Sequence, residues 1–186
     1  MCLEENKKLL VLDLDETLIF SSESKLNREP DFIFSDYFVY KRPFLDDFLE
    51  YCRKNFCISI WTSADIFYAK KIIDVIFKKD DHFEFIWTRD KCTNYFDQEL
   101  LEYIPVKNFK KIKNKGYDLN HVICLDDSPE KHIKNYGNLV RVKPYFGEIE
   151  DKELLLLIEY INKLKFESNI RMVEKRGWRR FLTNHA

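Results

Sequence analysis

LLVLDLDETL, Leu9 to Leu18, is the stretch whose reading decides the fold. Its first half is apolar at successive positions, so a strand over Leu9 to Leu14 would carry hydrophobic side chains on both faces. A strand of that kind belongs in the middle of a sheet covered on both sides. The second half then places two carboxylates, Asp13 and Asp15, where the strand ends.

Working outward, four more strand-like runs follow: Phe56 to Trp61, Phe83 to Trp87, His121 to Leu125 and Leu139 to Val142. Helix-like stretches fill the gaps. Pro43 suits the first turn of a helix to about Asn55. Ile66, Ala69, Ile73 and Phe77 recur at helical spacing after Ser63. Ser128 and Pro129 read as an N-cap and first-turn pair opening a helix to about Tyr136, and Asp151 as the cap of a last helix through Leu164. This alternation predicts an α/β fold, a Rossmann-like parallel sheet with flanking helices. Two segments fit it poorly. Residues 21–40, with Pro30 and the aromatics Phe32, Phe34, Phe38 and Tyr40, read as a loop or small hairpin; residues 92–105 read as irregular. Both fall near the carboxyl ends of strands, where open α/β sheets hold their sites.

Bulk properties narrow the function. The 186 residues fit one domain, and a net charge of -1 argues against a general nucleic-acid binder. The five cysteines, Cys2, Cys52, Cys57, Cys92 and Cys124, form no C-x-x-C pair and are read as reduced thiols of a cytoplasmic protein, or a nuclear one if the source is eukaryotic. The start, MCLEENKK, lacks the apolar core of a signal peptide, and no apolar run is long enough to span a membrane. Four glycines in the whole chain leave no glycine-rich phosphate loop.

Asp126 and Asp127 end the fourth strand, in CLDDSP, as Asp13 and Asp15 end the first. Carboxylates gathered at one sheet edge are costly unless something positive joins them. A hard cation with oxygen ligands, magnesium first, is the simplest answer. Thr62 and Ser63, in IWTSAD, supply a hydroxyl and amides at an expected helix start, and Lys107, in IPVKNF, supplies a charge for an anion.

DLDETL, WTSA, a lysine before a helix, then LDDSP, in this order, resemble the four-motif set of the haloacid dehalogenase superfamily. With KRP at Lys41 to Pro43, they resemble more narrowly the small phosphatases acting on the RNA polymerase II carboxy-terminal domain, the NIF-like branch. The resemblance runs from about Leu9 to about Leu164. It implies a magnesium-dependent phosphatase working through an aspartyl-phosphate, with small insertions and no large cap domain. Asp13 would be the nucleophile and Asp15 the general acid and base. Thr62 would touch a phosphate oxygen, Lys107 would be the third-motif lysine, and Thr17 would end the first motif. Asp126 and Asp127 would hold Mg²⁺ with Asp13 and the Asp15 carbonyl. Ser63 and Arg89 would lie near the substrate. In the branch the residue at Asp127 is commonly asparagine.

The chemistry agrees: a carboxylate attacks phosphorus once charge repulsion is relieved. Thus a phosphoserine or phosphothreonine protein is the expected substrate, with a small phosphoester as the alternative and a phosphoryl-accepting signalling module a further one. No nucleic-acid or membrane partner is expected; the sequence leaves oligomeric state open. The phosphatase domain is expected over residues 1–166 and a basic, aromatic extension over 167–186, read as a solvated final helix docked by its aromatics rather than as a contact for an acidic partner. His82, His121, His132 and His185 show no metal-ligand spacing and read as structural or surface residues.

Overall fold

The computed structural model describes residues 7–98 and 101–183. The amino-terminal stretch read for a signal sequence, with Cys2, and the side chain of His185 lie outside them. Strand β1, Leu9–Leu12, is buried at every residue. It is flanked on one side by β5, Cys57–Trp61, and on the other by β9, Val122–Asp126. β6, Ile86–Trp87, and β10, Leu139–Arg141, complete a five-stranded sheet in the order β10-β9-β1-β5-β6, with every pairing parallel.

Leu10 and Leu12 join one core cluster with residues of α1 (Leu45–Asn55), α2 (Ile66–Ile76) and α4 (Glu153–Leu164). Leu9 and Val11 join another with Trp61, Phe109 and Ile112, the last on α3, Lys110–Asn114. Apolar residues on both faces of β1 are therefore used as expected, one set against each layer.

Four segments depart from the expected elements. The segment after β1 forms a three-stranded antiparallel sheet, β2 (Ile19–Ser22), β3 (Phe32–Phe34) and β4 (Tyr37–Lys41), in the order β2-β4-β3. Residues 92–105, expected to be irregular, hold an antiparallel hairpin, β7 (Thr93–Asp97) with β8 (Glu102–Val106). The helix expected after Ser128 is instead two 3₁₀ turns, Pro129–His132 and Tyr136–Asn138. The Lys131 carbonyl, which α-helical geometry would give to the Asn135 amide, accepts from the Lys107 amide, and the Asn135 amide turns to the His132 carbonyl. The carboxyl segment, expected as a final helix, is a 3₁₀ turn, Ile170–Met172, followed by a short α5, Arg180–Thr183.

That segment is also part of the main core. Ile170, Trp178 and Leu182 are buried in the cluster that holds β1, and Trp178 stacks on Tyr160 of α4 at 4.9 Å between centroids. Arg42, one residue beyond β4, is buried and ties four places together. It pairs with both carboxylate oxygens of Asp151 at 2.8 and 2.9 Å and donates to the carbonyls of Thr17 and Lys143. Asp151 also accepts from the Glu153 amide, but it stands one residue before the N-cap of α4, which is Lys152 and not Asp151 as expected. Cys52, Cys92 and Cys124 are free thiols, whereas Cys57 is disulfide-bonded, against the expectation of reduced cysteines throughout.

Candidate active site

The register aligns the carboxyl ends of the three central strands. Leu12 pairs with Ile60 and with Leu125, so Asp13 emerges beside Asp126, and its amide donates to the Leu125 carbonyl. Beyond Asp13 the chain leaves strand geometry: the amides of Thr17, Leu18 and Ile19 all converge on the Leu14 carbonyl, and Glu16 takes a positive φ of 54°. This tight turn keeps both Asp13 and Asp15 at the strand end.

Lys107 is fully buried directly after β8 and places its ammonium between two carboxylates, 2.8 Å from Asp13 Oδ1 and 2.5 Å from Asp126 Oδ2. It does not open a helix as expected; α3 starts three residues later. Burial pulls the Lys107 ammonium down, but Asp126 and then Asp13 more than offset this and hold it above the usual lysine range. Burial also pushes Asp126 up, yet Lys107 and His132 hold it well below the carboxylate range. Asp13 goes the other way: burial and the Asp126 charge push it up to about 7 against the pull of Lys107.

Asp13, Asp126 and Asp127 offer oxygens within 4.8 Å of one another. Asp126 Oδ2 is taken by Lys107 and by His132 Nε2 at 2.8 Å, while Asp13 Oδ2 accepts no hydrogen bond among the described residues. Asp127 accepts from the Ser128 hydroxyl at 3.0 Å and from the Thr17 hydroxyl at 3.4 Å. An all-oxygen set of this kind fits a hard divalent cation. The Asp15 carboxylate is not in that set. A second cluster, Cys124, Asp126 and His132, fits hydrogen bonding instead: it is fully buried, and burial pushes the Cys124 thiol far up, so it stays protonated.

Asp15 faces α2, where the Tyr68 hydroxyl donates to its Oδ1. Tyr68 in turn lies 2.5 Å from the Ser21 hydroxyl of β2. Burial raises the Asp15 carboxyl above its ordinary range, with the Tyr68 bond opposing. Glu16 is likewise pushed up to about 7, first by burial and then by Asp15 and Asp127.

Thr62 is buried beyond β5, its hydroxyl accepting from the Ala64 amide at 3.1 Å. Neither it nor Ser63 starts the helix. Asp65 does, its side chain taking the Phe67 and Tyr68 amides, so the helix N-terminus expected to receive an anion is already capped. The Ser63 hydroxyl is buried beside the Cys92 thiol. Arg89 is exposed and fastened to this loop, its Nε donating to the Ser63 carbonyl at 2.7 Å.

Sequence reasoning missed three side chains here. Tyr68 sat within the apolar helical pattern, and His132 lacked any ligand spacing. Lys131, on the 3₁₀ turn after Asp127, adds a positive charge felt by Asp13, Asp15, Glu16 and Asp127. Its signal was legible only as a lysine four residues after the aspartate that replaces the branch's common asparagine.

A family model described as NLI interacting factor-like phosphatase matches residues 8–171. The chain belongs to that family. A relative in Dictyostelium discoideum, a probable C-terminal domain small phosphatase, is 31% identical over 175 residues, covering 89% of this chain and 53% of that protein. CTD nuclear envelope phosphatase 1 of Xenopus laevis is 30% identical over 186 residues, with 92% and 72% covered. Phosphatase PSR1 of Saccharomyces cerevisiae is 30% identical over 174 residues, with 89% and 38% covered. The chain thus spans about half the Dictyostelium protein and less of the yeast one. The structure of Fcp1, an RNA polymerase II CTD phosphatase, superposes with a TM-score of 0.59 at 18% identity, covering 97% of this chain and 62% of that one, a likeness of fold of the haloacid dehalogenase type. Phosphatases of this type generally use a divalent metal, consistent with the acidic set found here. No helix among the described residues is long and apolar enough to cross a membrane.

Proposed function

We propose that this chain is a magnesium-dependent phosphomonoesterase working through phosphorylated Asp13, with phosphoserine or phosphothreonine protein as its substrate class. The observation that carries the reading is the buried Lys107 bridge between Asp13 and Asp126, set beside Asp127 and with one oxygen of Asp13 left open.

Each residue then has a task. Asp13 Oδ2 attacks phosphorus and the bond to the leaving oxygen breaks. Asp15 gives that oxygen a proton from Oδ2, because Tyr68 occupies Oδ1. As Asp15 becomes a carboxylate, the Tyr68 bond becomes charge-assisted and stronger, so it favours proton release. Water then attacks the phosphorus of the acyl phosphate, Asp15 takes its proton, and Asp13 is regenerated. Lys107 holds Asp13 in place and offsets charge on the phosphoryl group. Thr62 and Ser63 form the loop that meets the phosphate, Arg89, fastened to that loop, meets its flank, and Thr17 steadies Asp127. Bound at Asp13, Asp126, Asp127 and the Asp15 carbonyl, Mg²⁺ would supply Lewis-acid neutralisation of phosphoryl charge.

Phosphoprotein is preferred over a small phosphoester because two of the relatives are named as C-terminal domain or CTD phosphatases and the segments added to the main sheet among the described residues are small sheets. A cytoplasmic or nuclear setting is supported by the three free thiols, with the Cys57 disulfide against it. The test is phosphate release from para-nitrophenyl phosphate by wild type and Asp13→Asn, each with magnesium or with chelator. Turnover only by wild type with magnesium is expected. Equal turnover by Asp13→Asn would refute the assignment.

A further inference from the structure

Beside the catalytic end of the sheet, β10 is an edge strand, and the carboxyl segment folds back along it. Between them runs a groove of about 1080 Å³. Six basic residues line it, Arg141, Lys143, Arg171, Lys175, Arg176 and Arg179, against one acidic residue, Glu174. In a chain with a net charge of -1 this is a local concentration of positive charge.

Part of that charge is already used. Arg176 pairs with Glu174, Arg179 with Glu153, and Lys175 donates to the carbonyls of Ile170 and Val173. The side chains of Arg141, Lys143 and Arg171 make no hydrogen bond or ion pair among the described residues. All three are exposed. Tyr136 and Met172 add exposed apolar surface to the same groove. Its rigid back is buried Trp178, whose indole Nε1 donates to the Arg141 carbonyl at 2.9 Å.

The groove touches the catalytic loops at one end. Pro129 lines it two residues beyond Asp127. Lys143 and Pro144 line it too, and the Lys143 carbonyl is held by Arg42 while Tyr145, two residues on, donates its amide to the Glu16 carbonyl. The reaction centre itself is crowded with carboxylates, so an acidic chain is repelled at its mouth. A basic channel leading away from that mouth reverses the sign for everything except the phosphoryl group itself.

Building on the phosphatase reading above, we infer that this groove docks an acidic segment of the phosphoprotein substrate, lying along β10 while the phosphorylated residue enters the site. Arg141, Lys143 and Arg171 set the preference, and the aromatic and thioether surfaces of Tyr136 and Met172 take the apolar flanks.

Two synthetic peptides with the same phosphoserine core test it, one flanked by glutamates and one by glycine and serine. Para-nitrophenyl phosphate serves as the control for turnover. Wild type should favour the acidic peptide about tenfold in kcat/KM at low salt, through KM, and lose that preference at high ionic strength. Arg141→Ala with Lys143→Ala and Arg171→Ala should remove the preference while leaving para-nitrophenyl phosphate turnover unchanged. Equal kcat/KM for the two peptides in wild type, or an unaltered preference in the triple variant, would overturn the inference. So would a single-stranded oligonucleotide displacing the acidic peptide at lower concentration than a second acidic peptide does. Loss of para-nitrophenyl phosphate turnover in wild type would instead overturn the phosphatase reading beneath it.

Discussion

Tyr68 reaches Asp15 across 53 positions of sequence, and its hydroxyl occupies Oδ1, so that in the proposed reaction Oδ2 holds the transferable proton. General acid catalysis contributes about 10²–10⁴-fold, and it matters most when the leaving oxygen is a poor one. Tyr68→Phe should therefore lower kcat on an alkyl phosphate about tenfold while changing KM little. It should spare para-nitrophenyl phosphate, whose leaving group needs less protonation. A fall of equal size on both substrates would assign Tyr68 to structure alone. At this scale the sequence was partly legible. Asp13, Asp15, Asp126 and Asp127 stood out because acidic residues ending apolar strands have few inexpensive explanations. Tyr68 and His132 did not stand out, because an aromatic at core spacing and a lone histidine have common ones. Only their partners, Asp15 for Tyr68 and Asp126 for His132, reveal the difference.

Arg42 and Asp151 act at the scale of elements, joining the end of β4, the turn after Asp13, the strand-to-helix connection after β10 and the start of α4. Their pair is buried, so Arg42→Leu should cost about 3–5 kcal/mol by leaving the Asp151 charge without its partner. Burial pushes Asp151 up, but Arg42 more than offsets this and lowers its carboxyl below the ordinary range. A carboxyl lowered on folding adds stability above its unfolded pKa and loses it as pH falls through the folded one. Thermal melting from neutral pH down to about pH 3 should then show an acid-dependent loss in wild type that is smaller in Asp151→Asn. Parallel slopes in the two proteins would contradict it. The strands of the main sheet were legible from their apolar runs. The β7–β8 hairpin was not, since Gln98 and the residues after it carry no turn signal and its strands alternate poorly, with three successive exposed residues in β7. The helix expected after Ser128 does not form, because the competing bond from Lys107 is not a local property.

For the whole molecule, the expected boundary near residue 166 meets a core that continues beyond it. Trp178 is 1% exposed and packs against Tyr160, in the cluster that also holds β1. Trp178→Ala should destabilise the fold by about 3–5 kcal/mol, read from denaturant midpoints, and a chain ending at Phe166 should melt well below the full one. Retained stability in both would contradict a core that depends on the segment beyond residue 166. The aromatic docking was legible in Trp178, but its target was not, because nothing in local sequence says that Tyr160 and the Arg141 carbonyl will meet it. Magnesium should also act on the molecule as a whole, raising the melting temperature as a ligand of the folded state, and less so in Asp127→Ala.

The proposed reaction requires Asp13 to become the phosphoryl acceptor. Turnover quenched in acid, treated with borohydride and mapped by mass spectrometry locates an acyl phosphate, because reduction converts that carboxyl to an alcohol. The reduced position is expected at Asp13, dependent on substrate and magnesium. Reduction mapped to Asp15, Asp126 or Asp127 instead, or turnover with no reducible carboxyl at all, would contradict it.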